Sequence, residues 1–197
     1  GTLMIVLTLE KITKNYGVKP LMANVDLTIE SGDRIGVIGV NGTGKSTFLR
    51  VCAGVEEADS GRITTASGMR VGYLPQSPDF TPGTTVWQEV LRHAARDRKD
   101  SAEFECRAML TRLGITDFEQ DVSTLSGGQQ KRVAMAAALA GQIELLILDE
   151  PTNHIDSATV EWLETYLAGY RGALLMVTHD RYFLERVCNR MVELDNG

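Results

Sequence analysis

Cysteine is scarce. Cys52, Cys106 and Cys188 lie far apart and form no CxxC pair. That spacing argues against a disulfide framework and a thiolate zinc site. The three thiols read as small buried hydrophobes in a reducing, cytoplasmic compartment. Long apolar runs are also missing. None approaches the roughly 18 residues of a membrane span, so no direct membrane insertion is expected. The N-terminal "GTLMIVLTLEKI" is apolar but alternating and has no cleavage site, so it reads as a strand and not a leader. Positive charge is in deficit, with 20 Lys and Arg against 26 Asp and Glu, a net charge of −6. A freestanding nucleic-acid binder needs a basic footprint that this chain lacks, although nucleic acid stays open as the partner of a larger assembly. There is no internal repeat and no low-complexity tract. What is present is 197 residues, 43% of them hydrophobic, enough for a single domain with a sizeable core. "GTL" before Met4 reads as a cloning remnant. "VELDNG" looks like a strand entering a turn, so the full-length protein is expected to continue beyond Gly197.

Periodicity divides the chain. "LTLEKITKNYG" and "NVDLTIESGD" (24–33) alternate, which predicts an antiparallel layer at the front. "RIGVIG" (34–39) is a buried-type strand, and "KSTFLRVCAG" (45–54) is a helix stopped by Gly54. "GRITTASGMRVGYLPQ" (61–76) predicts two short strands. Helices are expected from Ser77 to about Ala140. In one, Val86, Trp87, Val90, Leu91 and Ala94 share a face. In the next, Phe104, Ala108 and Leu110 do, with Leu113 nearby. "LLILD" (145–149), "ALLMVT" (173–178) and "MVEL" (191–194) then alternate with the helices "ATVEWLETYLAG" and "DRYFLERVC". Apolar strands alternating with helices predict an α/β fold with a mostly parallel sheet covered on both faces. Segment 77–140 is a helical subdomain inserted in that core, within one domain spanning 1–197.

Three stretches carry chemistry. "GVNGTGKS" (39–46) fits G-x-x-x-x-G-K-[ST] between a predicted strand and a predicted helix. Gly39, Asn41, Gly42, Thr43 and Gly44 form a turn whose amides, with the helix N-terminus, attract phosphate. Lys45 reaches the terminal phosphates, Ser46 offers a hydroxyl to Mg²⁺, and Thr47 offers another to phosphate. Asp149 ends an apolar strand, the place of a carboxylate that holds metal-bound water. The adjacent Glu150, which strand alternation would turn elsewhere, is placed to act as general base. "LSGGQQKR" (125–132) supplies a second anion-binding helix start, with Ser126 as N-cap followed by Gly127, Gly128 and Gln129. One nucleotide has no obvious way to use both cradles of a single chain.

"GVNGTGKST", "YLPQ", "LSGGQQ", "LLILDEPT" and "VTHD" together resemble the ATP-binding cassette (ABC) ATPases, in that family's order and across essentially the whole chain. The resemblance implies a P-loop NTPase core, ATP and Mg²⁺ as ligands, and head-to-tail pairing with a second ABC cassette. In such a pair the phosphate loop of one partner and the LSGGQ helix of the other enclose each ATP. It implies that Tyr16 stacks on adenine, a contact worth roughly 1–3 kcal/mol for base–aromatic stacks. Gln76 would reach Mg²⁺ and the attacking water, His179 the γ-phosphate, and Asp156 the partner's phosphate loop. His93, on the helical insertion, has no evident partner and reads as surface. "EPTNHID" with "HDRYFL" resembles the ABC-F family, soluble tandem-cassette proteins that act on the ribosome as translation or antibiotic-resistance factors. Ile155 stands where that family more often has leucine. The chain looks most like a first cassette, with ribosome and rRNA contacts supplied by regions outside it. Gln76 and Leu125 are 49 positions apart, so any inserted arm is very short or absent. Two other readings remain at this point: the nucleotide-binding subunit of a membrane transporter, and a cassette that binds ATP without hydrolysing it, against which Glu150 and His179 argue.

Overall fold

A computed structural model describes residues 4–39, 42–93 and 100–194. The front layer is antiparallel. Strands β1 (Ile5–Tyr16) and β2 (Lys19–Glu30) form a hairpin, and β4 (Ser60–Thr65) pairs with the other edge of β1, giving the order β2-β1-β4. Leu9 sits opposite Leu27 and Leu7 opposite Ile29. The alternation is imperfect, since Val6 and Leu7 are both buried. A register shift between Ile5 and Leu7 explains this, because a bulge resets which side chains face inward.

Strands β3 (Arg34–Ile38), β5 (Val71–Leu74), β6 (Leu145–Asp149), β7 (Ala173–Val177) and β8 (Arg190–Glu193) form a second, all-parallel sheet in the order β5-β6-β7-β3-β8. Every residue of β6 and β7 is buried. Period-two alternation sends Leu145 and Ile147 into one core and Leu146 and Leu148 into the other. The first core lies against the antiparallel layer and α1 (Gly42–Ala53), with Phe48, Leu7 and Leu175. The second lies against helices and holds Met135, Leu110, Leu163 and Phe183. Each such side chain contributes roughly 1.5–3 kcal/mol of burial, so both faces of the sheet are strongly held. Parallel order puts the C-terminal ends of β3, β5, β6 and β7 along one edge, where ligands of open α/β sheets bind.

The helical segment contains α2 (Val86–His93), α3 (Asp100–Arg112), a short 3₁₀ turn (Val122–Thr124) and α4 (Gly127–Leu139). Helices α5 (Ser157–Ala168) and α6 (Arg181–Val187) follow β6 and β7. Two expected faces need correcting. Leu91 is 43% exposed and Phe104 is 76% exposed. The inward side of α3 is instead Cys106, Met109 and Leu110, continuing to Leu113 after the helix, because α3 packs against α4. On α2, Val86 and Val90 are buried as expected, but so is Glu89. Its carboxylate accepts from Thr81 N, the Thr84 hydroxyl and Arg92, which together offset its desolvation. His93 is exposed, with Nε2 3.4 Å from that carboxylate. Ala94 lies outside the described residues. All three cysteines are free and buried.

Candidate active site

Gly39, just beyond β3, is constrained by close approach. A Cβ on Gly39 would sit 2.3 Å from the carbonyl oxygen of Leu194, so no larger residue fits there. Asn41 is outside the described residues, and Gly42, Thr43 and Gly44 form the start of α1. The helix stops at Gly54, where φ is +79°. Lys45, Ser46, Gln76, Asp149, Glu150 and His179, expected from separate motifs, line one cavity of about 410 Å³ together with Arg50 and Val177. Gly39 lines a neighbouring cavity of about 360 Å³ that also reaches Lys45 and His179. Thr47 lines neither. It is fully buried, and its hydroxyl accepts from Arg50 at 3.0 Å. Tyr16 ends β1 half-exposed and lies outside the lining of both. Arg50, which the motif reading missed, follows Ser46 by one helical turn and is fixed to Glu56 at 2.9 Å. Its i+4 spacing from Ser46 was the available signal.

Asp149 is 1% exposed. The Ser46 hydroxyl bonds its carboxylate, yet Oδ1 has no donor among the described residues. Desolvation raises its pKa, aided by the charge of Glu150 and opposed by Ser46, Lys131 and Arg50. An orphaned, buried carboxylate oxygen beside a hydroxyl fits a hard divalent cation. Gln76 on the same cavity adds an oxygen donor of the right kind. No three His, Cys, Asp or Glu side chains converge among the described residues, so further ligands would have to come from water or phosphate, the usual arrangement for Mg²⁺.

Glu150 does not continue the strand alternation. Its φ is +51°, a left-handed conformation that a non-glycine residue adopts at a cost of roughly 1–3 kcal/mol. Its amide donates to Val177 O at 2.7 Å, and its Oε2 accepts from His179 N at 3.2 Å. His179 Nδ1 lies against Oε1. The backbone twist, more than side-chain periodicity, aims the two carboxylates apart. Lys131, also missed, is 2% exposed and donates to the carbonyls of Glu150 and Gln76. Burial lowers its pKa, with Asp149 and Glu150 opposing.

The second helix start closes on itself. Ser126 Oγ accepts from Gln129 N at 3.1 Å, and Gln129 Oε1 accepts from Ser126 N at 2.8 Å, a capping box readable in S-x-x-Q. Gly127 has open space where a Cβ would be, and a Cβ on Gly128 would meet His154 O at 3.1 Å. None of Ser126, Gly127, Gly128 or Gln129 lines the Lys45 cavity. Asp156 is exposed at the start of α5 and accepts from the Thr159 hydroxyl at 2.5 Å, which holds its pKa down.

Residues 22–153 match the family described as "ABC transporter". The chain is 40% identical to the uncharacterized ABC transporter ATP-binding protein YfmR of Bacillus subtilis, over 98% of this chain and 37% of that one. It is 36% identical to the energy-dependent translational throttle protein EttA of Mycobacterium tuberculosis, over 96% of this chain and 40% of that one. It therefore spans well under half the length of these curated relatives. The two alignments run over 231 and 226 positions, more than the 197 residues available, so stretches of each relative have no counterpart here. The fold superposes with a TM-score of 0.78 on a dimeric structure of a post-hydrolysis state of the ATP-binding cassette MJ0796 bound to ADP and Pi, at 24% identity, covering 97% of this chain and 95% of that one. With the family match covering most of its length and the fold in agreement, the chain belongs to the ABC transporter family and is an ATP-binding cassette.

Proposed function

We propose that this cassette hydrolyses ATP to ADP and phosphate in a site completed by a second cassette, as part of a cytoplasmic ABC-F type protein whose ATP-driven closure acts on the ribosome. The observation that carries the hydrolytic reading is the contact of Glu150 with His179 beside the orphaned oxygen of Asp149, in the cavity that holds Lys45. Lys45 and the amides at the start of α1 would hold the terminal phosphates. Ser46, Asp149 and Gln76 would hold Mg²⁺, which when bound neutralises charge on the phosphate oxygens. Glu150 accepts a proton as water oxygen bonds to the γ-phosphorus and the bond to the bridging oxygen breaks. His179 keeps that carboxylate in place. Tyr16 offers its ring to the adenine. The start of α4 and Asp156 face the second cassette, a reading in keeping with the dimeric state described for MJ0796.

The ribosomal part is supported by "EPTNHID" and "HDRYFL" and by likeness to a protein named as a translational throttle. Full-length protein carrying Glu150→Gln is expected to lose about 10²–10⁴-fold in turnover and, with ATP, to co-sediment with ribosomes. Parent-level turnover removes Glu150 from the mechanism. Slow turnover without ribosome association removes the ribosome from the proposal.

A further inference from the structure

We infer that Lys131 is a positioning residue for hydrolysis, tying α4 through two main-chain carbonyls to the segments that carry Glu150 and Gln76. This rests on the roles proposed above for those two side chains.

Lys131 Nζ donates to Glu150 O at 2.9 Å and to Gln76 O at 3.3 Å. It is 2% exposed and lies on the face of α4 that also buries Met135 and Ala138. An ammonium there loses its hydration, and an apolar side chain would fill the same position without that penalty. Lys131 does not line the Lys45 cavity, so it reaches the site through the carbonyls it holds and through its charge on Asp149 and Glu150.

What it holds is the strained residue. Glu150 has φ +51°, and both of its main-chain polar groups are pinned, N–H to Val177 O and C=O to Lys131, with Asn153 N sharing that oxygen at 3.3 Å. A left-handed glutamate persists only where its surroundings over-determine it. Removing the ammonium leaves that carbonyl with the longer Asn153 bond alone. The second carbonyl, on Gln76, fixes the β5 exit in the same frame. One turn before Lys131, a Cβ on Gly128 would meet His154 O at 3.1 Å, so α4 also runs close to the 150–154 segment there. A shift of the α4 start is thereby passed to Glu150.

The test uses the full-length protein with Lys131→Met, which keeps the bulk and removes the donor, and Lys131→Arg, which restores donors. Lys131→Met is expected to lose about 10–100-fold in kcat, the usual effect of removing a group that orients others. ATP affinity and KM should stay within about threefold, the pattern of an interaction felt in the transition state. Lys131→Arg should recover most of the rate. Parent-level kcat in Lys131→Met overturns the inference. So does a joint fall in ATP affinity and kcat that arginine does not repair. If the methionine variant does not fold, Lys131→Gln replaces it, and failure of that protein to fold also overturns the inference, making Lys131 a residue of core stability. Glu150→Gln run in parallel separates the two levels. Parent-level turnover there defeats the water-activation reading, whereas slow Glu150→Gln beside unaffected Lys131→Met defeats only the role of Lys131.

Discussion

Helix α1 begins beyond the end of a parallel strand, and Lys45 and Ser46 in its first two turns look into a cavity already furnished with Asp149, Glu150, Gln76 and His179. Helix α4 begins behind a capping box, with Ser126 and Gln129 satisfying one another's amides. The box leaves Gly127 and Gly128 between them, and Gly127 has nothing beside it. Both helix starts suit anions. The first is surrounded by its counter-groups and is a site within one chain. The second has amides and space, but none of its residues lines the cavity of the first, and under the proposed function it would meet the nucleotide of a second cassette. Rigid attachment is common to both: α1 is buried through Phe48 and Leu49, and α4 through Val133, Met135 and Ala136.

The contrast can be broken experimentally. Among changes at the two helix starts, the largest effect is expected from Lys45→Ala. Loss of a hydrogen bond to a charged phosphate, worth about 1.5–3 kcal/mol, should weaken ATP binding by roughly 10–100-fold. Nucleotide titration that finds parent affinity would mean that α1 is not the binding end. Gly127→Ala is the opposite case. Its methyl enters open space, so thermal stability and ATP affinity should match the parent, while turnover falls about tenfold if that amide meets a phosphate held by another cassette. A matching loss of ATP affinity would place the α4 start in the same site as α1 and erase the contrast.

The smallest effect concerns pH. Burial raises the Asp149 pKa above its ordinary value of 3.8, so between that value and the raised one the folded chain holds a proton that the unfolded chain has released. Stability from this group is therefore present at low pH and declines as pH rises through that window. Asp149→Asn, unable to ionise, should flatten that decline and melt slightly higher at neutral pH. A melting series in which the variant shows the parent's slope assigns the pH dependence to other groups.

What was readable beforehand follows from how local each signal is. The start of α1, the Asp149 strand end and the Ser126 cap are each contiguous stretches whose backbone geometry is set by neighbours in sequence. Both faces of the parallel sheet were legible for the same reason, as unbroken apolar runs. The exposed Phe104 and Leu91 show the limit: an amphipathic helix names a face only once its neighbours do, and α3 turned Cys106, Met109 and Leu110 toward α4. Glu89 and Lys131 were hidden differently. Their burial depends on acceptors or donors tens of residues away for Lys131 and on a loop turning back for Glu89, which no periodicity records. A faint mark existed for Lys131, a cation in register with Met135 on an otherwise apolar helix. The aim of Glu150 was expected from alternation and came from a twisted backbone instead.

That twist has an evolutionary consequence. Glycine or asparagine would occupy a left-handed position more comfortably than glutamate does. Folding alone therefore pushes position 150 away from the residue it has. A lineage that ceased to need hydrolysis would gain stability by giving up this side chain early, before its phosphate loop decayed. The proposed role of Glu150 in turnover is what would offset the preference of its own main chain.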